Sequence, residues 1–149
     1  MDILIRRMEE NDIESVSLLE AKSFSKPWSS NAFLDTLNNE CYAFYVAYIG
    51  KEHVATAGFT ITKPEADISN VCVKDIYRKQ GIARKLLSYM MDDIAKEGVV
   101  DFTLEVRAGN TAAINLYTVL GFKNEGVRKN FYEQPREDAI IMWKRDYHA

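Results

Sequence analysis

A chain of 149 residues, 47% hydrophobic and 28% charged, has the size and composition of one ordinary globular domain with enough apolar side chains to bury a core. Its net charge of −3 argues against generic nucleic-acid binding, which needs a basic surface. No apolar run approaches the ~18 residues of a membrane span.

Met1 to Arg7 lacks the order of a signal peptide; Ile3 and Ile5 alternate with Leu4 and Arg6, which predicts a first strand. Asn11, with Glu14 three residues on, predicts a helix start, and Ile13, Val16, Leu19 and Phe24 would form its apolar face. Lys26-Pro27-Trp28 breaks that pattern. Ser29 or Ser30 then caps a short helix carrying Phe33, Leu34 and Leu37. Tyr42 to Ile49 and Val54 to Thr62 read as two strands joined at Gly50-Lys51-Glu52, with Gly58 marking a bulge or a close backbone approach. Asp67 to Lys74 is the next strand. Ile82, Ala83, Leu86, Leu87, Met90, Met91 and Ile94 recur at helical spacing, and Gly98 ends that helix. Val99 to Arg107 is a strand, and Asn110 or Thr111 caps a helix running to Leu120. Phe122 to Arg128 and Asp138 to Lys144 are the last strands, with Phe131 to Pro135 in their connection. The order β-α-α-β-β-β-α-β-α-β-β predicts an α/β (α+β) fold, a mixed central sheet with helices on both faces.

The cysteines, Cys41 and Cys72, form no motif and are expected to be reduced, strand-borne residues of a cytoplasmic protein. His53 and His148 are too few and too far apart for a metal site, so none is expected.

The most informative stretch is Arg78-Lys79-Gln80-Gly81-Ile82-Ala83, between the strand ending near Val73 and the best-formed helix. The first N–H groups of a helix have no partner within it and carry partial positive charge. Gly81 and Ala83 keep side chains out of the way, so an anion can approach the backbone. The stretch matches neither Gly-x-x-x-x-Gly-Lys-Ser/Thr nor Gly-x-Gly-x-x-Gly. Its spacing, Arg-x-x-Gly-x-Ala, resembles the pyrophosphate loop of the GNAT N-acetyltransferases. Leu104-Glu105-Val106-Arg107, Asn110, Ala113-Ile114, Leu116-Tyr117 and Gly121-Phe122 resemble a second block of that superfamily. Pro27-Trp28-Ser29, Asn70 to Val73 and Arg136 to Met142 agree as well. Together they look most like the ribosomal-protein-alanine N-acetyltransferase branch and span nearly the whole chain.

The resemblance implies a single N-acetyltransferase domain over residues 1–149 that transfers acetyl directly from acetyl-CoA to a protein N-terminus. The expected acceptor is the N-terminal alanine of a small-subunit ribosomal protein. It puts the CoA pyrophosphate on Lys79, Gln80, Gly81, Ile82, Ala83 and Arg84, the pantetheine arm along Val71, Cys72 and Val73, and a further contact at Asn110. It makes Glu105 the general base and Tyr117 the general acid. The residue types suit the reaction, because a carboxylate can take the amine's proton and a phenol can hydrogen-bond the departing thiolate. Backbone N–H groups of the 71–73 strand can polarise the thioester carbonyl. Read from position alone, Glu105 is a solvent-facing strand residue paired with Arg107, Tyr117 is core, and Asn110 is a helix cap. Trp28 and Tyr132 are candidate walls of a peptide groove. Gly109, where the family more often has Ser, is expected to loosen the turn before Asn110. Lysine side chains, a small amine, or acetyl-CoA binding without catalysis are the alternative functions.

Overall fold

Alternating strand patterns and helical stripes resolve into eleven regular elements in the computed structural model, which describes residues 2–149. They are β1 (Leu4–Arg7), α1 (Ile13–Ser23), α2 (Ser30–Thr36), β2 (Tyr42–Ile49), β3 (Glu52–Thr62), β4 (Glu65–Val73), α3 (Ile82–Ala95), β5 (Asp101–Arg107), α4 (Thr111–Val119), β6 (Lys123–Glu133) and β7 (Arg136–Lys144). The seven strands form one sheet in the order β1-β2-β3-β4-β5-β7-β6. All neighbours are antiparallel except β4 and β5.

β2 shows why helices cover both faces. Phe44 and Val46 point into a cluster with Val16 of α1 and Phe33 of α2. Ala43, Tyr45 and Ala47 point the other way, into the main core with Leu86, Leu87, Met90 and Ile94 of α3. A strand buried on both sides carries no polar alternation, which accounts for the unbroken apolar run Tyr42–Ile49. Gly58 on β3 sits under the Phe44 ring, where a Cβ would overlap it, and it also borders a register shift against β4, so the close approach and the bulge both hold.

Four local expectations need correction. α1 is preceded by a 3₁₀ turn, Glu10–Asp12, and its capping box pairs Glu9 with Asp12 rather than Asn11 with Glu14. Asp12 is buried there because Arg6 holds it through two hydrogen bonds, 2.7 and 2.9 Å, and the Tyr48 hydroxyl donates a third at 2.6 Å. Phe24 lies past the end of α1 in extended conformation. β6 runs on to Glu133, so Tyr132 is a strand residue and the connection shrinks to Gln134 and Pro135. The exposed apolar-poor run 123–133 is held by its ladder to β7, a tertiary pairing that single-strand patterning does not report. Cys72 lies buried on β4, whereas Cys41 is exposed in the turn before β2; both are free thiols.

The parallel contact between β4 and β5 lasts three residue pairs, Glu65–Asp101 to Asp67–Thr103. From Leu104 to Arg107 β5 stays paired with β7 only, while β4 stays with β3. The register between β3 and β4 shifts between Thr56/Cys72 and Gly58/Ser69, leaving Asn70 and Val71 opposite one residue. This is a β-bulge, which bends and twists its strand. Asn70 takes a φ of 57°, a left-handed conformation that asparagine tolerates better than most residues. The bulge turns β4 away from β5 and opens the sheet.

Candidate active site

The opening between β4 and β5 leads into a cavity of about 530 Å³. β4 contributes Ile68 to Val71 and β5 contributes Leu104 to Arg107. Glu20, Phe24 to Lys26 and Trp28 close it from the α1–α2 side, and Asn110, Ala113, Leu116 and Tyr117 from α4. Tyr132 of β6 completes the wall. Hollows of about 450 Å³ between α1 and α2 and about 640 Å³ beside the start of β2 lack an opened sheet edge. The cavity at the opening therefore has a feature they lack: backbone donors with no strand partner.

Those donors follow from alternation along β4. The Lys74 N–H donates to the Val54 carbonyl of β3 at 2.8 Å. Two residues back, Cys72 faces β3 as well, and Val71 and Val73 face the open edge. Arg78 supports this assignment, since its Nε donates to the outward Val73 carbonyl at 3.3 Å. Of the predicted trio, Val71 lines the cavity, Val73 faces the same edge of β4 beyond it, and Cys72 faces β3. The Cys72 thiol is pushed up to about 12 by burial, and by the Glu20 charge next, so it stays protonated and inert.

Beyond β4 the chain makes a 3₁₀ turn, Asp75–Tyr77, and enters α3 through Lys79 to Gly81. Lys79 and Gly81 have φ of 62° and 80°, and no side chain among the described residues caps the helix. Gly81 has nothing within 4 Å of a would-be Cβ, so its role is the left-handed turn that aims the first N–H groups outward. Two motif side chains brace the loop: Arg78 pairs with Asp75 at 3.0 Å, and the Gln80 amide donates to the Ile76 carbonyl at 3.3 Å. The uncapped N–H groups of the first turn, flanked by Lys79 and Arg84, are left facing outward. This fits a diphosphate.

Glu105 lies on the face of β5 opposite Leu104 and Val106, which are buried. Its expected surface partner is wrong. Arg128 of β6 makes the ion pair, Nε to Oε2 at 3.2 Å, with both groups at least a third exposed. Such a pair is weak and easily displaced. Arg107 instead reaches across to the β6–β7 connection, donating to the Pro135 and Gln134 carbonyls at 2.9 and 3.1 Å, and to Glu137 of β7 at 3.3 Å, and it lies over the Tyr132 ring at 4.2 Å. Glu137 in turn accepts from the Gly109 N–H at 2.5 Å, and a Cβ on Gly109 would strike that carboxylate. Glycine therefore permits a close tie here rather than loosening the turn. Asn110 follows and caps α4, its Oδ1 accepting from the Ala113 N–H at 3.1 Å.

Tyr117 is both core and cavity wall. It is 7% exposed and packs edge-on to Phe122 at 5.9 Å. Its hydroxyl makes no hydrogen bond among the described residues, and burial, with the nearby Tyr132, pushes the phenol up to about 12. Trp28 packs on Phe33, Tyr42 and Phe44 and also lines the cavity.

Sequence reasoning missed Glu20. It is 2% exposed, and its Oε2 accepts from the Trp28 N–H at 3.2 Å and the Asn70 side-chain amide at 3.0 Å. Its Oε1 has no partner among the described residues, and burial holds the carboxyl above its ordinary range. The signal was present, because Glu20 falls four residues after Val16 and seven after Ile13, on the buried stripe of α1. A carboxylate on an apolar stripe is seldom ornamental.

Comparison with known proteins matches residues 13–122 to the Acetyltransferase (GNAT) family. The [ribosomal protein bS18]-alanine N-acetyltransferase of Escherichia coli K12 is 37% identical over 143 residues, covering 93% of this chain and 94% of that one. A putative enzyme of the same description from Bacillus subtilis is 34% identical, covering 93% of each. The crystal structure of the ribosomal-protein-S18-alanine N-acetyltransferase from Escherichia coli superposes with a TM-score of 0.87 at 34% identity, covering 99% of this chain and 96% of that one.

Proposed function

Since the chain belongs to the Acetyltransferase (GNAT) family, we propose that it is an acetyl-CoA-dependent Nα-acetyltransferase whose acceptor is the N-terminal alanine of a small-subunit ribosomal protein. The observation that carries this reading is the opened sheet. One cavity joins a wall on the α1–α2 side to the unpaired edge of β4, with a carboxylate and a phenol facing it. An acceptor that is a ribosomal protein implies work in the cytoplasm, without nucleic acid or membrane as partner; no helix among the described residues is long and apolar enough to cross a membrane.

The co-substrate brings an activated acetyl thioester. Lys79, Gln80, Gly81, Ile82, Ala83 and Arg84 hold its pyrophosphate, mainly through the N–H groups of the first turn of α3. Val71 and Val73 offer backbone to the pantetheine arm, Cys72 contributes through the path of the strand, and Asn110 flanks the arm from α4.

Attack requires a neutral amine. With reference pKa values of ~8 for an α-amine and ~10.4 for lysine, roughly a quarter of the former is neutral at pH 7.5, against about a thousandth of the latter. Glu105 removes the proton lost as nitrogen bonds to the acetyl carbon, directly or through one water. The Val71 N–H polarises the carbonyl as negative charge develops on oxygen. Tyr117 donates a hydrogen bond to the sulfur as the C–S bond breaks. Complete transfer from a phenol at about 12 to a thiolate whose conjugate acid is near ~8.5 would be uphill by roughly 5 kcal/mol. Tyr117 therefore acts chiefly as a donor to the thiolate. The proton balance closes through solvent: the amine gives one proton to Glu105, which releases it to water, and the thiolate, held by the Tyr117 hydrogen bond until it leaves, takes one up from water.

Acetylation of peptides beginning Ala, Ser, Gly and Met, with a lysine peptide as control, tests the reading. Mass spectrometry is expected to place the acetyl group on the α-amine of the Ala peptide. Modification confined to the lysine ε-amine, or thiol release without peptide acetylation, overturns it.

A further inference from the structure

Glu20 stands between the two sides of the reaction. Its Oε2 accepts one hydrogen bond from Trp28, on the wall assigned to the acceptor, and one from Asn70, at the bulge of β4. Asn70 immediately precedes Val71, whose N–H faces the opening, and has a φ of 57°. Asparagine tolerates that region better than most residues, and a partner on its side-chain amide fixes it there. The Glu20–Asn70 hydrogen bond is such a restraint, placed where a small rotation re-aims the Val71 amide. The arrangement is costly, because a carboxylate is buried with one oxygen unpartnered among the described residues. A side chain serving packing alone would be apolar on that stripe of α1, beside Val16 and Leu19.

Resting on the reading of Val71 given above, we propose that Glu20 is a positioning residue that holds the Asn70 bulge, and with it the Val71 N–H, in fixed register with the Trp28 wall of the acceptor site. The reaction needs the polarising amide and the attacking nitrogen on a common geometry, and displacements near 1 Å cost rates on the order of 100-fold. Glu20 ties the two walls through a single oxygen. The diphosphate seat at the start of α3 lies outside this linkage.

The test combines Glu20→Ala, Glu20→Gln, Asn70→Ala and the Glu20→Ala/Asn70→Ala double variant. Glu20→Ala is expected to lower kcat at least tenfold while the KM for acetyl-CoA stays within about threefold. Glu20→Gln keeps an oxygen for both donors and recovers most of kcat. The double variant is no more than about twofold worse than Glu20→Ala, since both changes break the same bond. Full kcat in Glu20→Ala, equal loss in Glu20→Gln, or multiplicative losses in the double variant each overturn the proposal. An amide NMR spectrum of the unliganded protein supplies a readout independent of any acceptor. The Val71 resonance is expected to move in Glu20→Ala and to return in Glu20→Gln, and an unmoved Val71 in Glu20→Ala overturns the proposal. If Glu20→Ala does not fold, Asn70→Ala carries the kinetic readout through the other end of the bond, with kcat lowered and the KM for acetyl-CoA within about threefold, and full kcat there overturns the proposal. Failure of the wild-type protein to acetylate N-terminal peptides, with the Val71 resonance moving as stated, sinks the acceptor assignment alone.

Discussion

Replacing Tyr117 by Phe separates chemistry from folding unusually cleanly. The ring is almost wholly buried and packs on Phe122, and Phe preserves that packing. The hydroxyl has no hydrogen-bond partner among the described residues, so its removal leaves no protein group unpaired. Unfolding free energy should therefore change by less than about 0.5 kcal/mol, a shift of roughly 1–2 °C in Tm for a chain of this size. In the proposed reaction the same hydroxyl donates to a developing thiolate. A hydrogen bond to a charged group is worth ~1.5–3 kcal/mol, which predicts a kcat lower by about 10- to 150-fold. The phenol, near 12, remains protonated through the working range. The ratio of wild-type to variant kcat should then be flat from about pH 6 to 9. Free-thiol release at saturating acetyl-CoA and peptide measures kcat, and a thermal melt measures stability. A variant within threefold of wild-type kcat would refute the assignment of Tyr117 to the leaving group. A drop in Tm of many degrees would show that the hydroxyl is instead a structural tie.

Glu105→Gln should reduce kcat/KM by about 100-fold or more at pH 7 while acetyl-CoA binds normally by calorimetry, and the deficit should narrow at higher pH as the free amine loses its own proton. An undiminished rate would move the base elsewhere. Gly81→Asp sets a negative charge at the uncapped start of α3, where φ is 80°; we expect acetyl-CoA to bind at least tenfold more weakly in titration calorimetry, with kcat at saturation little altered. Asp12 governs acid stability. Burial raises its pKa, but the Arg6 and Tyr48 hydrogen bonds and the Glu9 N–H outweigh that and hold it below the ordinary range. Its contribution is therefore present above the unfolded value near ~3.9 and is lost as pH falls through the folded one. Asp12→Asn should cost about 2 kcal/mol at pH 7, the partial exposure of Arg6 reducing the larger cost of breaking a fully buried pair, and should flatten the urea midpoint against pH in that acid window.

Much of the molecule is legible in its sequence because short-range physics writes it there. The helical stripe Ile82 to Ile94, the unbroken run Tyr42–Ile49 and the caps Ser29 and Asn110 are local consequences of spacing and side-chain chemistry, and the structure has them where spacing puts them. The loop Lys79 to Gly81 is equally local, since a glycine ahead of an amphipathic run determines an uncapped, left-handed entry to α3. Glu105 and Tyr117 stood out by resemblance, and neither position nor spacing distinguished them from an exposed strand residue and a core residue. Tertiary structure decided what depends on residues far apart in the chain. It gave Glu105 to Arg128 and Arg107 to Glu137, extended β6 through Tyr132 by pairing it with β7, and brought Glu20 of α1 against Asn70 of β4, fifty positions away. The opening itself belongs to this second class: β4 and β5 each read as ordinary strands, and only the bulge at Asn70–Val71 and the pairing of β5 with β7 part them. Local patterns report which face of an element is buried; they do not report which neighbour leaves, and here the departure of one strand makes the site.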